Sequence, residues 1–77
     1  SELKLFPVPV NGNGILNITG VNVSELTNLQ IIDASGRMVW NSAKGVSQIA
    51  LNGMAAGNYV FSATQGNDVI RVQFVIQ

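Results

Sequence analysis

Hydrophobic and polar positions along this chain alternate with a period of two in one short run after another, and none of the runs has the three- and four-residue spacing of an amphipathic helix. The last run is the clearest: Ile70, Val72, Phe74 and Ile76 face one way, with Arg71 and Gln73 opposite. Just before it, Tyr59, Phe61 and Ala63 alternate with Val60, Ser62 and Thr64, and the turn residues Gln65-Gly66-Asn67 join the two runs. At the start, Leu3 to Phe6 reads as an edge strand stopped by Pro7-Val8-Pro9, because proline offers no N–H to a ladder. The cluster Asn11-Gly12-Asn13-Gly14 is a turn, and Ile15 to Thr19 beyond it puts Leu16 and Ile18 on one face. Gly20 to Asn28 reads as a loop. Val46 to Leu51 is again extended, with Ile49 and Leu51 together, and Gly53 to Gly57 is a tight connection.

Between these runs, Leu29 to Asp33 and Arg37 to Asn41 are two strand-like stretches separated by Ala34-Ser35-Gly36, the pattern of a β-hairpin. A three-residue loop ending in glycine fits a type I turn closed by a left-handed residue, where a Cβ would clash. Asp33 stands at the mouth of this turn, placed to accept from loop N–H groups, with Arg37 on the other side to pair with it. Asn41-Ser42-Ala43-Lys44-Gly45 then reads as a break.

Seven short strands with closely spaced turn signals predict an all-β fold, a seven-stranded antiparallel immunoglobulin-like β-sandwich, with a barrel as the other architecture. Apolar anchors before the strand-opening Tyr59, in Leu51 to Phe61, resemble a tyrosine corner, in which the phenol hydroxyl bonds to upstream backbone. The expected core is Leu16, Ile18, Leu29, Ile31, Val39, Ile49, Leu51, Met54, Tyr59, Phe61, Ile70, Val72 and Phe74. If Val39 points inward, Trp40 points outward, where its ring can stack on a sugar or anchor a partner; the other reading has Trp40 covering one end of the sandwich.

Composition narrows the function. The chain has 77 residues, enough for one small domain, and no cysteine, so neither a disulfide nor a thiolate zinc site adds to the core. Charged residues make up 10% of it and its net charge is zero, so no basic stripe exists for nucleic acid. No apolar run is long enough to span a bilayer, and Ser1-Glu2-Leu3-Lys4 lacks the shape of a signal peptide. With no His and no Cys there is no ordinary general base near neutral pH and no thiolate nucleophile, and the four acids Glu2, Glu25, Asp33 and Asp68 are scattered. The chain is therefore expected to be no enzyme, with no catalytic residue, metal ligand or cofactor. Asp33 and Asp68 lack the spacing of a calcium loop and read as turn-forming aspartates. Asn11 to Gly14 precedes a strand and has no lysine, so it is a turn and not a phosphate cradle; Asn17-Ile18-Thr19 and Asn22-Val23-Ser24 match the glycosylation acceptor pattern, as short polar runs often do.

Four blocks in this order, Phe6-Pro7-Val8-Pro9, Leu29 to Val39 with its Asp33-Ala34-Ser35-Gly36-Arg37 turn, Leu51 to Tyr59, and Gln73-Phe74-Val75-Ile76-Gln77, resemble the C-terminal sorting domain of the type IX secretion system of Bacteroidetes. The resemblance spans nearly the whole chain, and its specificity lies in the combination of blocks. The chain departs from the family pattern at Val8, where the family usually has Asn between the two prolines, and at Gln73 and Ile76, where it often has Lys.

The resemblance implies a transport function. The whole chain, residues 1–77, would be a single C-terminal sorting domain cut from a larger exported precursor, with cargo preceding Ser1 and Gln77 as the natural end. Cargo would reach the periplasm by an ordinary signal peptide, pass through the outer-membrane translocon, and end at the cell surface or secreted, a sortase-like peptidase commonly removing the domain. The implied partners are the translocon and peptidase components and the cargo. By matching positions, recognition falls on Phe6, Pro7, Pro9, Asp33, Gly36, Arg37, Gly57, Tyr59, Phe74, Val75 and Gln77. The terminal strand is expected at a sheet edge, open to a partner strand, with Val69, Arg71, Gln73 and Val75 as its outward face, so that truncating it abolishes export with most of the core assembled. The competing reading is a carbohydrate-binding or adhesion β-sandwich module of a surface protein, which would need a planar group of exposed aromatics. This chain has only one Trp, one Tyr and three Phe.

Overall fold

The computed structural model describes residues 3–77. Seven strands form two antiparallel sheets. The smaller sheet has β1 (Lys4–Phe6), β2 (Ile15–Thr19) and β5 (Gln48–Ala50) in the order β1-β2-β5. The larger has β3 (Leu26–Asp33), β4 (Met38–Lys44), β6 (Gly57–Gln65) and β7 (Asp68–Ile76) in the order β4-β3-β6-β7. The fold is the expected immunoglobulin-like sandwich, with its fourth strand on the larger sheet.

Alternation explains the inner faces. Leu16, Ile18 and Ile49 from the smaller sheet meet Leu29, Ile31, Phe61, Ala63, Phe74 and Ile76 from the larger, all buried. Burial of such side chains is the main favourable term in a domain of this size, roughly 1.5–3 kcal/mol for each large one.

The core differs from the expected one in ways that trace to register. Leu3, Val10, Leu26, Ala63 and Ile76 belong to it, whereas Val39, Met54, Ile70 and Val72 are only half-buried at its rim. The stretch Gly20 to Asn28 is not all loop: a 3₁₀ turn at Val23–Glu25, capped by the Asn22 side chain, leads into β3 at Leu26. Asn28, at φ 52°, sits where the β3–β6 register shifts between Thr27 and Gln30, and this extra residue lets Leu26 and Leu29, three apart, both point inward. Likewise Asn41 to Lys44 is no break but the second half of β4, paired with β3 as far as Thr27↔Lys44, and β5 is confined to Gln48–Ala50.

A second shift, between Ile31 and Ile32, resolves the choice between Val39 and Trp40. Ile31 faces Trp40 and Ile32 faces Met38, leaving Val39 as the extra residue of a bulge. Paired residues share a sheet face, so Trp40 joins the buried Ile31, and Val39 packs against the core beside it. Strict alternation, which would turn the indole outward, fails here because the bulge changes the phase; Trp40 is half-buried on the core and Met38 is exposed.

Candidate recognition site

The three-residue loop after β3 is organised by one carboxylate. Asp33 Oδ1 accepts from the Ser35 N–H (2.9 Å), the Ser35 hydroxyl (2.6 Å) and the Arg37 N–H (3.0 Å). The backbone closes the same loop: Asp33 N–H donates to the Arg37 carbonyl at 2.9 Å and Gly36 N–H to the Asp33 carbonyl at 3.0 Å. Gly36 takes φ 91° with open space around it, so its conformation and not its size demands glycine. Arg37 Nε lies 3.4 Å from Asp33 Oδ2, but its side chain is 78% exposed, and a solvent-screened pair of this kind adds little stability.

The Ser35 hydroxyl, then the Arg37 N–H, hold the Asp33 carboxyl below its ordinary range, with the Ser35 N–H and the Arg37 charge adding to them against partial desolvation. A pKa depressed in the folded state means that the unfolded chain binds the proton more readily. The turn's contribution is therefore complete above the unfolded carboxylate range and is lost as pH falls through the folded value. We expect the melting temperature to start falling below about pH 5, and to fall less in Asp33→Asn. Thermal unfolding of both proteins between neutral and strongly acid pH checks this.

Asp33 is paired with Tyr59 on the neighbouring β6, and Tyr59 with Phe74 on β7. The Tyr59 hydroxyl donates to the Ala55 carbonyl at 2.7 Å, the tyrosine corner expected from the sequence, and its ring stacks on Phe74 with centroids 5.8 Å apart. Tyr59→Phe keeps the ring contact and removes one hydrogen bond. The expected cost is about 1 kcal/mol, a melting decrease of roughly 4–8 °C for a domain of this size, readable by calorimetry.

At this end of the sandwich a shallow cleft of about 190 Å³ opens between the turn and the start of β6, lined by Asp33, Ala34, Ser35, Ala56, Gly57, Asn58 and Tyr59. An adjoining groove extends past Gly36 and Val60 to Gln73 on β7. The end of β7 is held by the opening segment: Val10 N–H donates to the Val75 carbonyl at 3.0 Å and Gln77 N–H to the Val10 carbonyl at 2.8 Å, a parallel bridge between Val10 and Ile76. Pro7 and Pro9, both preceded by cis peptide bonds, carry the chain from β1 in one sheet to Val10 beside the other.

The predicted recognition residues thus fall into groups. Asp33, Gly57 and Tyr59 line the cleft, Gly36 lines the adjoining groove, Arg37 stands beside them through its ion pair with Asp33, and Phe74 and Val75 lie next to them on β7. Gln77 joins through its backbone bond to Val10. Phe6, about half exposed, instead pairs with Asn17 on the smaller sheet, with Pro7 and Pro9 exposed after it. Trp40 lies apart on β4, its ring partly covered. Val10 was not among the predicted sites and shows no local signal, because its partners are 65 or more positions away, whereas Gln73, expected on the outward face of the terminal strand, lines the adjoining groove. Asp33 and Asp68 sit at opposite ends of the larger sheet, facing Tyr59 and Gln65. Six residues of strand, about 20 Å, separate those levels, too far to share an ion. The acceptor patterns are also engaged: the Asn17 amide donates to the Phe6 carbonyl and accepts from Gln48, and Asn22 Oδ1 accepts from the Ser24 N–H and hydroxyl. Glu2 lies outside the described residues.

No curated protein sequence matches this chain. Among solved structures, a similar one is reported under structural and functional probing of PorZ, an essential bacterial surface component of the type-IX secretion system of Porphyromonas gingivalis. It superposes with a TM-score of 0.75 at 16% identity over 97% of this chain, which spans 11% of that protein, so the likeness is one of fold. The family model described as secretion system C-terminal sorting domain matches residues 4–77, essentially the whole described chain. The protein therefore belongs to the family of secretion system C-terminal sorting domains, the one its sequence blocks resemble.

Proposed function

We propose that this domain is the C-terminal part of a larger exported precursor and that the type IX machinery reads it in the periplasm, folded, at the end of the sandwich that holds the Asp33 turn. Membership of the family makes it a secretion sorting signal attached to cargo and bound for the outer membrane, the cell surface or the medium. The proposal adds the partner and the place of contact. A translocon component binds across the Asp33–Arg37 turn and the adjoining strand β7, and a sortase-like peptidase then removes the domain from cargo that precedes Ser1.

The observation that supports this place is a contrast among the residues at one end of the fold. Gly36, Tyr59 and Phe74 have sufficient structural reasons to be what they are. Arg37 does not: its guanidinium projects into solvent with one weak ion pair. An exposed arginine beside an open cleft is where binding energy is available to a partner. The carbohydrate-binding alternative lacks such support, because Tyr59, Phe61 and Phe74 are buried, Trp40 is half-covered, and Phe6 is the one strongly exposed ring among the described residues. No helix among the described residues is long and apolar enough to cross a membrane.

The test is a periplasmic fluorescent reporter fused ahead of Ser1, expressed in a bacterium with a working type IX system and in a mutant lacking its translocon. Reporter outside the cell in the competent strain alone is the expected result, with Arg37→Ala reducing its export and leaving the domain's melting within a few degrees. Retention by both strains, with the domain folded, would count for the binding-module reading.

A further inference from the structure

Strand β7 is an edge strand, and its backbone alternates between two partners. Pairing with β6 runs from Gly57↔Ile76 to Gln65↔Asp68 without interruption, closed by the two-residue turn Gly66-Asn67. The Val75 carbonyl and Gln77 N–H both point away from β6, toward Val10. By the strand's period of two, the N–H and C=O groups of Val69, Arg71 and Gln73 point the same way. Val10 covers only the far end of this edge; β1 of the smaller sheet comes near β7, but among the described residues no other strand is hydrogen-bonded to it. Three residues therefore present six backbone groups at a spacing of about 7 Å between like groups.

Side chains decide what can fill this edge. Val69, Arg71, Gln73 and Val75 lie on the solvent face, with Val69 53% exposed. Arg71 is the only cation on the strand, and it has neither an ion pair nor a hydrogen bond among the described residues. A second copy is a poor occupant. Two β7 edges related by a two-fold axis, using all three open residues of each, place Arg71 directly opposite Arg71 of the other copy, and like charges in that position are destabilising. Arginine at this point blunts self-pairing, as charges on exposed edges commonly do.

The geometry points to strand addition at β7 by an extended segment of the export machinery that carries a carboxylate opposite Arg71, with an apolar residue opposite Val69. This inference rests on the sorting function and names the chemistry of the partner. Main-chain bonds to Val69, Arg71 and Gln73 supply affinity without regard to sequence, and the Arg71–carboxylate pair fixes the register. The arrangement also suits a signal that serves one machine: the partner contributes its own charge, and the domain in transit does not pair with other copies of itself.

The experiment combines export of the reporter fusion in the type IX-competent strain with amide hydrogen exchange and melting of the purified domain. In the free domain the Val69, Arg71 and Gln73 amides exchange rapidly, and those of Ile70, Val72 and Phe74 slowly. Arg71→Glu lowers export on the order of tenfold or more, Arg71→Lys keeps it near wild type, and both melt like the parent because the side chain is exposed. Gln73→Pro removes one outward N–H that the β6 ladder does not use and lowers export similarly. Should that proline unfold the domain, Arg71→Glu decides alone. Export of a folded Arg71→Glu domain at the parental level would overturn the inference with the sorting function intact. So would strong protection of the three outward amides in the free domain, or its dimerisation through β7, since the edge would already be filled. If the parent fusion is not exported from the competent strain, the sorting reading fails and the strand-addition inference fails with it.

Discussion

Deletion of Val75, Ile76 and Gln77 is expected to unfold the domain and not merely to blunt its signal. Ile76 is 1% exposed and packs in the main core, and losing such a side chain costs about 2–5 kcal/mol. The deletion also removes both backbone bonds that tie Val10 to β7, at about 1 kcal/mol each, and the last two rungs of the β6–β7 ladder. A chain of 77 residues has only some 4–12 kcal/mol in total. Circular dichroism of the deleted domain should show no cooperative transition, or one below room temperature. Loss of export on truncation would then report folding. The edge position expected of the terminal strand suggests that the last residues can be removed with most of the core assembled; the burial of Ile76 and the bridge to Val10, the latter invisible in the local sequence, argue for the opposite outcome. Solvent-face substitutions such as Val75→Ser, which leave Ile76 in place, separate recognition from stability.

The second large effect is expected at Gly45, which the sequence marks only as the end of a break. A Cβ there would run into the carbonyl oxygen of Val23 and lie 3.2 Å from that of Leu26. The Val23 carbonyl cannot swing aside, because it accepts the Leu26 N–H that closes the 3₁₀ turn, and Asn22 caps that turn from the other side. Glycine is required here for closeness of approach, since both neighbours are main chain. Gly45→Ala should cost about 3 kcal/mol or more, at the upper end for overpacking. Gly36→Ala meets nothing within 4 Å and should cost only the left-handed conformation, about 1–2 kcal/mol. Urea denaturation of the two variants side by side checks the order. A reversed order would mean that the end of β4 does not lie against the 3₁₀ turn.

Much of the site was legible because its geometry is local. Asp33, Ser35, Gly36 and Arg37 fall within five positions, and the turn they make follows from the length of the loop, the glycine and the carboxylate. Tyr59 reaches Ala55 four residues back, so the corner too lies within one short window. The sequence also determined the strand content, the inward faces of β2, β6 and β7, and, through the order of its blocks, the family. The tertiary structure alone decided how the strands beyond the β3–β4 and β6–β7 hairpins pair and where the register slips, while β7 lies at the sheet edge where the sequence placed it. A period of two tells which side a residue faces only while the phase holds. At Asn28 and Val39 one extra residue changes the phase, bringing Leu26 and Trp40 to the core against the simple pattern. Whether that insertion is accepted depends on partners in other strands, and so does the seating of Val10 beside Ile76. Such pairings join residues far apart in the chain, and local residue preferences carry no information about them.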